Sequence, residues 1–315
     1  MNLSYDAVLL LAFGGPTAPE EIRPFLARVL HGIPIPPERV EEVVHHYEAV
    51  GGRSPLNEIT FRQALALQRL LTEKKISLPV YVGFRNASPF FTETLKQMAD
   101  EGAKRGLGFI LSSHKTEASW DRYQKNVSDA SAQLASNAPA IDYCDGWHDH
   151  PLFIQTWAEL IKASFARISA ATRQTTPLIF TAHSLPVPMA AQSPYVEQLE
   201  TTARLIVAKL GHERWSLVYQ SRSGKPTDPW LEPDIGQAVR GLAAQGVSEV
   251  VVAPIGFVCD HVEVLYDLDI EAQKLAANLG VNFIRASCPN DHPTFIRMIA
   301  DLIAMKIPKP QRKPL

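Results

Sequence analysis

Short apolar runs rich in β-branched residues alternate with amphipathic stretches along the whole chain. Segments 7–12, 80–84, 109–112, 178–182, 216–219, 247–253 and 281–285 read as strands, being short and bounded by turn residues. Between them, apolar positions recur at helical spacing over 37–47, 59–74, 89–105, 120–135, 153–171, 195–210, 235–245, 262–279 and 293–305. Gly211, Gly246 and Gly280 stand just past three of these stretches, where a left-handed residue commonly ends a helix. Such alternation predicts an α/β fold of parallel sheets flanked by helices on both faces. The rhythm breaks over 136–150, before a long helix from Phe153. The chain is therefore expected to divide into domains of residues 1–165 and 166–315, with the last helix crossing back to the first.

The most informative stretch is 251–271. An apolar run ends at Gly256, and a helix follows that carries Glu263, Asp267 and Glu271. At about 100° per residue, a step of four drifts by only about 40°, so the three carboxylates share one side. Two readings stand side by side. Asp260 as N-cap with Glu263 three residues later fits a capping box, and acidic residues suit the first turn of any helix. The other reading is a working row that passes cations or protons, and Glu271, well past the first turn, is less well explained by capping.

Composition narrows the function classes. The 315 residues are 46% hydrophobic and 20% charged, with a formal net charge of -2, so no global basic field attracts nucleic acid or anionic membrane. Cys144, Cys259 and Cys288 are odd in number and widely spaced, which argues against a disulfide framework and falls short of the thiolates usual for an iron–sulfur cluster. No secretory leader pattern and no apolar stretch near the ~18 residues of a spanning helix are legible, so a cytoplasmic protein is expected. G-x-G-x-x-G, P-loop, H-E-x-x-H and G-x-S-x-G patterns are missing, and the tail 306–315 reads as a frayed end.

In doubly wound sheets the ligand crevice lies beyond the carboxyl ends of the strands. There the chain places Phe13-Gly14-Gly15-Pro16, Arg85-Asn86, His183-Ser184-Leu185-Pro186, Tyr219-Gln220-Ser221 and the acidic helix. His183, held by a proline-stiffened loop, suits proton exchange near neutral pH, against the alternative of a histidine hydrogen-bonded into a domain interface. His31, His45, His46, His212 and His292 read as ordinary, and Trp230 as core. Arg53, in a Gly51-Gly52 turn, is either a carboxylate ligand or a plain surface arginine.

With these residues in hand, the chain resembles the ferrochelatase family. The matching segments are Gly51-Gly52-Arg53-Ser54-Pro55-Leu56, Val80-Tyr81-Val82-Gly83-Phe84-Arg85-Asn86, Thr181-Ala182-His183-Ser184-Leu185-Pro186, Tyr219-Gln220-Ser221-Arg222-Ser223-Gly224, Pro229-Trp230-Leu231-Glu232-Pro233-Asp234 and 255–269. The resemblance implies two Rossmann-like domains with a porphyrin cleft between them, and insertion of Fe(II) into protoporphyrin IX or coproporphyrin III in haem biosynthesis. It implies His183 as the catalytic histidine, Glu263 facing it, and a row continued by Asp267 and Glu271 on a helix with a π turn. His183, Glu263, Asp267 and Glu271 are thus the expected metal contacts, with His183 and Glu263 flanking the bound ring. Phe13, Arg53, Arg85, Asn86 and Ser221 are the expected substrate contacts. Iron enters as a substrate, and neither an organic cofactor nor an iron–sulfur cluster is expected. A monomer is expected, in transient contact with a membrane or with other haem-forming enzymes, and without nucleic acid.

Three departures from the family pattern bear on this. Phe13 replaces a tyrosine found in many bacterial relatives, Leu30–Pro37 lacks the arginine cluster of coproporphyrin-using relatives, and Ser112–Trp120 matches poorly. Ile33 and Ile35, with Leu30, are read as an apolar lip or an ordinary loop. The rival readings are a cobalt or nickel chelatase for a more acidic tetrapyrrole, a tetrapyrrole carrier, and a two-domain receptor for a sugar or ion.

Overall fold

A computed structural model describes residues 5–32, 36–223 and 227–307; Ile33, Ile35, Gly224 and the tail beyond 307 lie outside the described residues. Two four-stranded parallel sheets form its frame. The first has the order β2 (Val80–Phe84), β1 (Ala7–Ala12), β3 (Arg105–Ile110), β4 (Ala140–Tyr143). The second has the order β6 (Trp215–Gln220), β5 (Leu178–His183), β7 (Glu249–Ala253), β8 (Asn282–Arg285). In each half the first strand is central and the chain adds one strand on one side before turning to the other. The crevice expected for such an order opens at the carboxyl ends of β1 and β3, and of β5 and β7.

The central strands are apolar because helices cover both faces. All six residues of β1 are buried, and in β5 only His183 is partly exposed. The boundaries differ from the sequence reading where small or polar residues obscure the signal. β3 begins at Arg105 rather than near residue 109. Its Gly106 and Gly108 make room for the side chains of the neighbouring strand, since an added Cβ would come within 2.8 Å of Ile141 Cδ1 and 2.9 Å of Tyr143 Cδ1. β4, short and half-exposed at the sheet edge, falls inside the stretch 136–150, where the rhythm breaks and the strand signal is weakest.

Helix α1 (Ile22–Val29) was also unread, with Pro24 inside its first turn, yet it buries Ile22, Phe25 and Leu26 at helical spacing. These residues pack with Val44 and Tyr47 of α2 (Pro37–Ala49) and with Val262 of the second half, forming a small cluster apart from the main core. α3 (Leu56–Glu73) holds the loop after β1: Asn57 accepts the Gly15 N–H at 2.9 Å and donates to the Gly15 carbonyl at 3.0 Å. Gly14, at φ +81, makes the turn itself.

The remaining helices of the first half are α4 (Phe91–Asp100) and α5 (Arg122–Gln133), the latter entered through a π turn at Glu117–Asp121. α6 (Pro151–Phe165) packs on β7 and on α8 (Tyr195–Leu210), which follows the short α7 (Val187–Ala191). α9 (Ile235–Ala244) covers β6, and α12 (Pro293–Lys306) returns to α3 and α6. Ion pairs Lys74–Asp301 (3.0 Å) and Lys306–Asp145 (2.7 Å) tie α12 to the first half. Both sheets share one continuous apolar core. Among the described residues no helix is long and apolar enough to cross a membrane.

The loop after β7 lies directly on the end of β5. Gly256 donates to the Thr181 carbonyl at 3.1 Å, and a Cβ there would sit 2.6 Å from Ala182 Cβ. Gly256→Ala is expected to destabilise the fold by about 1–3 kcal/mol through this overlap, measured as the shift in a urea unfolding midpoint; an unchanged midpoint would show that the two segments separate freely.

Candidate active site

Two strand ends and one helix of the second half build the site. β5 ends on His183, whose carbonyl oxygen accepts the buried Tyr195 hydroxyl at 2.9 Å. The His183 Nδ1–H donates to the Ser184 carbonyl, which fixes the ring and turns Nε2 outward. Beside it, on β6, Gln220 is buried. Its amide oxygen accepts the Thr181 hydroxyl at 2.7 Å, and its amide nitrogen donates to the Glu263 carbonyl and to Asp267 Oδ2, both at 3.3 Å.

The acidic helix runs through α10 (Val262–Val264), a π segment (Leu265–Ala272) and α11 (Gln273–Asn278). The wide turns matter to the row. In an α-helix a step of four residues overshoots one turn, whereas in π geometry, with its i→i+5 bonds, it falls short. A helix that mixes the two keeps Glu263, Asp267 and Glu271 closer to one line than α geometry alone would.

The helix start corrects the capping expectation. His261, not Asp260, is the N-cap, its Nδ1 accepting the Glu263 N–H at 3.2 Å. Asp260 is drawn away by Arg285 at 2.7 Å and by the Asn290 amide at 2.6 Å.

His183 Nε2 and Glu263 Oε2 stand 3.8 Å apart, both partly exposed. That distance overturns the expectation that the two flank a bound ring. Carbon contacts need about 3.5–4.0 Å on each face of an aromatic disc, roughly 7 Å in all. The imidazole and the carboxylate therefore stand side by side. An imidazole nitrogen and a carboxylate oxygen that face one space are groups of the kind that share a proton or bind a divalent ion.

Behind this pair, Asp267 accepts a short hydrogen bond from the Ser221 hydroxyl. Ser221 holds φ +59, a left-handed conformation unusual for a residue with a Cβ, at the point where its hydroxyl meets the row. Burial pushes the Asp267 carboxyl up to about 7; the Ser221 hydrogen bond opposes this, while the charges of Glu263 and Glu271 reinforce it. Glu271 is raised as well, by partial desolvation and then by Glu42 of α2, against the nearby Arg39. Among the described residues no three histidine, cysteine or acidic side chains converge to cage a metal ion.

A second group gathers at the edge of the first sheet. Arg85 lies over the Phe13 ring at 5.8 Å and donates to the Ala118 carbonyl at 3.4 Å. Asn86 is buried, and its amide donates to the Phe13 carbonyl at 3.3 Å, so it shapes the loop more than it faces outward. Phe13 is 36% exposed. Arg53 is exposed on the turn whose Ser54 N–H binds the Pro16 carbonyl at 2.8 Å. Phe13, Phe25 and Tyr47 make successive edge contacts at 6.2 and 6.0 Å, an aromatic wall that reaches the helix start through Val262.

Several participants were not legible in the sequence. His46, read as ordinary, stacks on Tyr266 of the π segment at 3.7 Å, and burial lowers its pKa. Tyr195 and Arg285 join the elements of the site only through tertiary contacts, at the His183 carbonyl and at Asp260 and Asp269. A signal for His261 was present, in its place two residues before Glu263.

The fold, two parallel four-stranded sheets flanked by helices, is one that solved chelatase-like proteins share. Among solved structures, the chain is similar to "SirB from Bacillus subtilis with Fe3+" (TM-score 0.56, 11% identity, 78% of this chain and 90% of that one). It is also similar to a multi-domain protein of Deinococcus radiodurans with structural similarity to chelatases (TM-score 0.57, 10% identity, 99% and 56%). The sequence model of the family described as Ferrochelatase matches residues 5–307. Curated relatives include a coproporphyrin III ferrochelatase of Mycolicibacterium smegmatis (40% identity over 96% of this chain and 89% of the relative). Others are a ferrochelatase of Rhodopirellula baltica (40%, 98% and 88%) and a coproporphyrin III ferrochelatase of Mycobacterium avium (42%, 96% and 88%). The chain belongs to the ferrochelatase family, and its activity is the insertion of ferrous iron into a porphyrin, a lyase reaction of haem biosynthesis.

The raised pKa of Asp267 has a cost in stability. The folded state holds this proton up to about pH 7 while the unfolded chain loses it near 3.8, so stability falls as pH rises between the two values. Asp267→Asn removes that titration and keeps an oxygen for Ser221 and Gln220. It should raise the unfolding free energy at pH 8 by on the order of 2 kcal/mol, a gain that fades toward pH 4. Denaturant titrations at both pH values test this, and an equal effect at the two would show that Asp267 is not protonated in the native state.

Proposed function

We propose that His183 and Glu263 together seat the ferrous ion and that Asp267 and Glu271 carry away the protons it displaces. The observation that carries this reading is the 3.8 Å separation of His183 Nε2 and Glu263 Oε2 at the head of the carboxylate row. Two metal bonds of about 2.1 Å span such a gap, and neutral imidazole and carboxylate both suit a divalent first-row ion.

The porphyrin in this reading lies to one side of the pair, packed by Phe13, with Arg53 and Arg85 receiving propionates. Asn86 holds the Phe13 loop in shape, and Ser221 steadies Asp267. A flat macrocycle keeps its nitrogens in plane, so peripheral contacts that bend it present the lone pairs to the metal, with binding energy at the edge supporting distortion at the centre. Each of the two pyrrole N–H protons then needs an acceptor. Asp267 is that acceptor, and a carboxyl titrating near 7 takes and returns a proton with little driving force in either direction. Glu271, exposed at the far end of the row, delivers it to water.

For the substrate we favour coproporphyrin III, because relatives so named share 40–42% identity over 96% of the chain. The chain is further read as a cytoplasmic monomer that uses no organic cofactor and meets a membrane or other haem-forming enzymes only transiently.

Anaerobic iron insertion into coproporphyrin III and protoporphyrin IX, followed by the Soret band, tests the substrate. A kcat/KM for coproporphyrin III higher by about 10-fold is expected, the scale of one well-placed recognition contact; equal or reversed preference rejects that substrate while leaving the iron chemistry intact. In the same assay Glu263→Gln and His183→Ala should each lower turnover by about 10²-fold. Near-normal turnover in either variant removes that residue from the mechanism.

A further inference from the structure

On the other side of the acidic helix, away from the row, lies a second ionic cluster that the reaction described above does not use. Asp269 follows Asp267 by two residues, which carries its side chain about half a turn round the helix. Arg285, the last residue of β8, meets Asp269 with both prongs of its guanidinium: Nε to Oδ1 at 2.5 Å and Nη2 to Oδ2 at 2.7 Å. Its remaining nitrogen, Nη1, donates to Asp260 Oδ1 at 2.7 Å and to the Ala286 carbonyl at 3.2 Å. The side chains of Arg285 and Asp260 are 14% and 17% exposed, so this is a largely buried cluster.

Asp260 precedes Glu263 by three residues, and Asp269 sits within the π segment Leu265–Ala272. One planar cation therefore grips both ends of the stretch that holds Glu263 and Asp267. Asp260 is also bound by the Cys288 N–H at 3.2 Å and the Asn290 amide at 2.6 Å. The Asn290 carbonyl in turn accepts from the buried Gln63 of α3 at 2.7 Å, which extends the chain of contacts to the first half of the molecule.

We propose that Arg285 is a positioning residue for iron insertion: by pinning Asp260 and Asp269 it sets where Glu263 stands relative to His183 and keeps the carboxylate row turned toward the sheet edge. Arg285 acts only through the helix, since its hydrogen bonds reach neither Glu263 nor His183. A lysine cannot replace it, because an ammonium group has no planar fork to hold two carboxylates in fixed directions. The proposal rests on the reading of Glu263 and Asp267 given above.

The test compares Arg285→Lys and Asp269→Asn with the unmodified protein and with Glu263→Gln in anaerobic iron insertion. It measures kcat, separate KM values for Fe(II) and porphyrin, the pH profile of kcat and the thermal midpoint. Both cluster variants are expected to lower kcat/KM for Fe(II) by about 10-fold or more, the scale of a displaced reacting group, and to shift the pH profile, with the porphyrin KM unchanged. A lowered midpoint with unchanged kinetics and pH profile would show a purely structural role and overturn the proposal. So would an equal loss in both KM values, which marks general damage to the cleft. Should Arg285→Lys not fold, Asp269→Asn decides by the same criteria, its side chain being 34% exposed and more tolerant of change. If Glu263→Gln keeps full activity, the site reading fails; if it loses activity while both cluster variants behave normally, only the Arg285 proposal fails.

Discussion

Gln220 accepts the Thr181 hydroxyl on its amide oxygen and donates from its nitrogen to the Glu263 carbonyl and the Asp267 carboxylate, so a single buried side chain joins β5, β6 and the acidic helix. An amide in this setting has few alternatives, because each unmade bond leaves a buried polar atom without a partner. The helix cannot rotate about its own axis without breaking two of these contacts. Ser221, the next residue, holds a left-handed conformation that brings its hydroxyl to the same carboxylate. The row is thus anchored, at the Glu263 carbonyl and the Asp267 carboxylate, to the end of one strand.

The two halves of the molecule repeat one strand order but carry different chemistry at their open edges. The second sheet supplies the imidazole, the anchoring amide and the helix. The first supplies an aromatic wall and arginines. Their mutual placement depends on the shared core, on α12 returning to α3, and on Gln63 meeting Asn290. That last contact continues to Asp260, so the loop opening the acidic helix is fastened from the first half as well as from Arg285. The raised Asp267 carboxyl belongs to the same design. A group titrating near neutrality serves proton transfer, and the burial that produces it opposes folding at higher pH.

Much of this was legible along the chain, for physical reasons that can be named. Strands β1, β2 and β5 were readable because burial on both faces demands an unbroken apolar run. β4 was not, since an edge strand half-exposed to water needs no such run, and the glycines of β3 answer to side chains on a neighbouring strand. α1 was hidden by its length and by Pro24. At the site, the expectation that His183 and Glu263 flank a ring failed because separation along the sequence says nothing about which side of a cleft two residues share. Asp260 as a cap failed for a similar reason. A capping box is a local preference worth about 1 kcal/mol, and a largely buried guanidinium outbids it.

Covalent spacing alone decided that Glu263, Asp267 and Glu271 share a helix side, because any helix brings residues four apart nearly into line. It likewise decided that His183 ends a strand, since the apolar run stops there at a polar residue and a proline. Tertiary structure decided the rest: the 3.8 Å approach of His183 to Glu263, the elevated Asp267 carboxyl, the stacking of His46 on Tyr266 and the hold of Arg285 on Asp260 ahead of the π segment and on Asp269 within it. Distances between remote residues and the local loss of solvent are set by the folding of the whole chain, and no pattern confined to neighbouring residues encodes them.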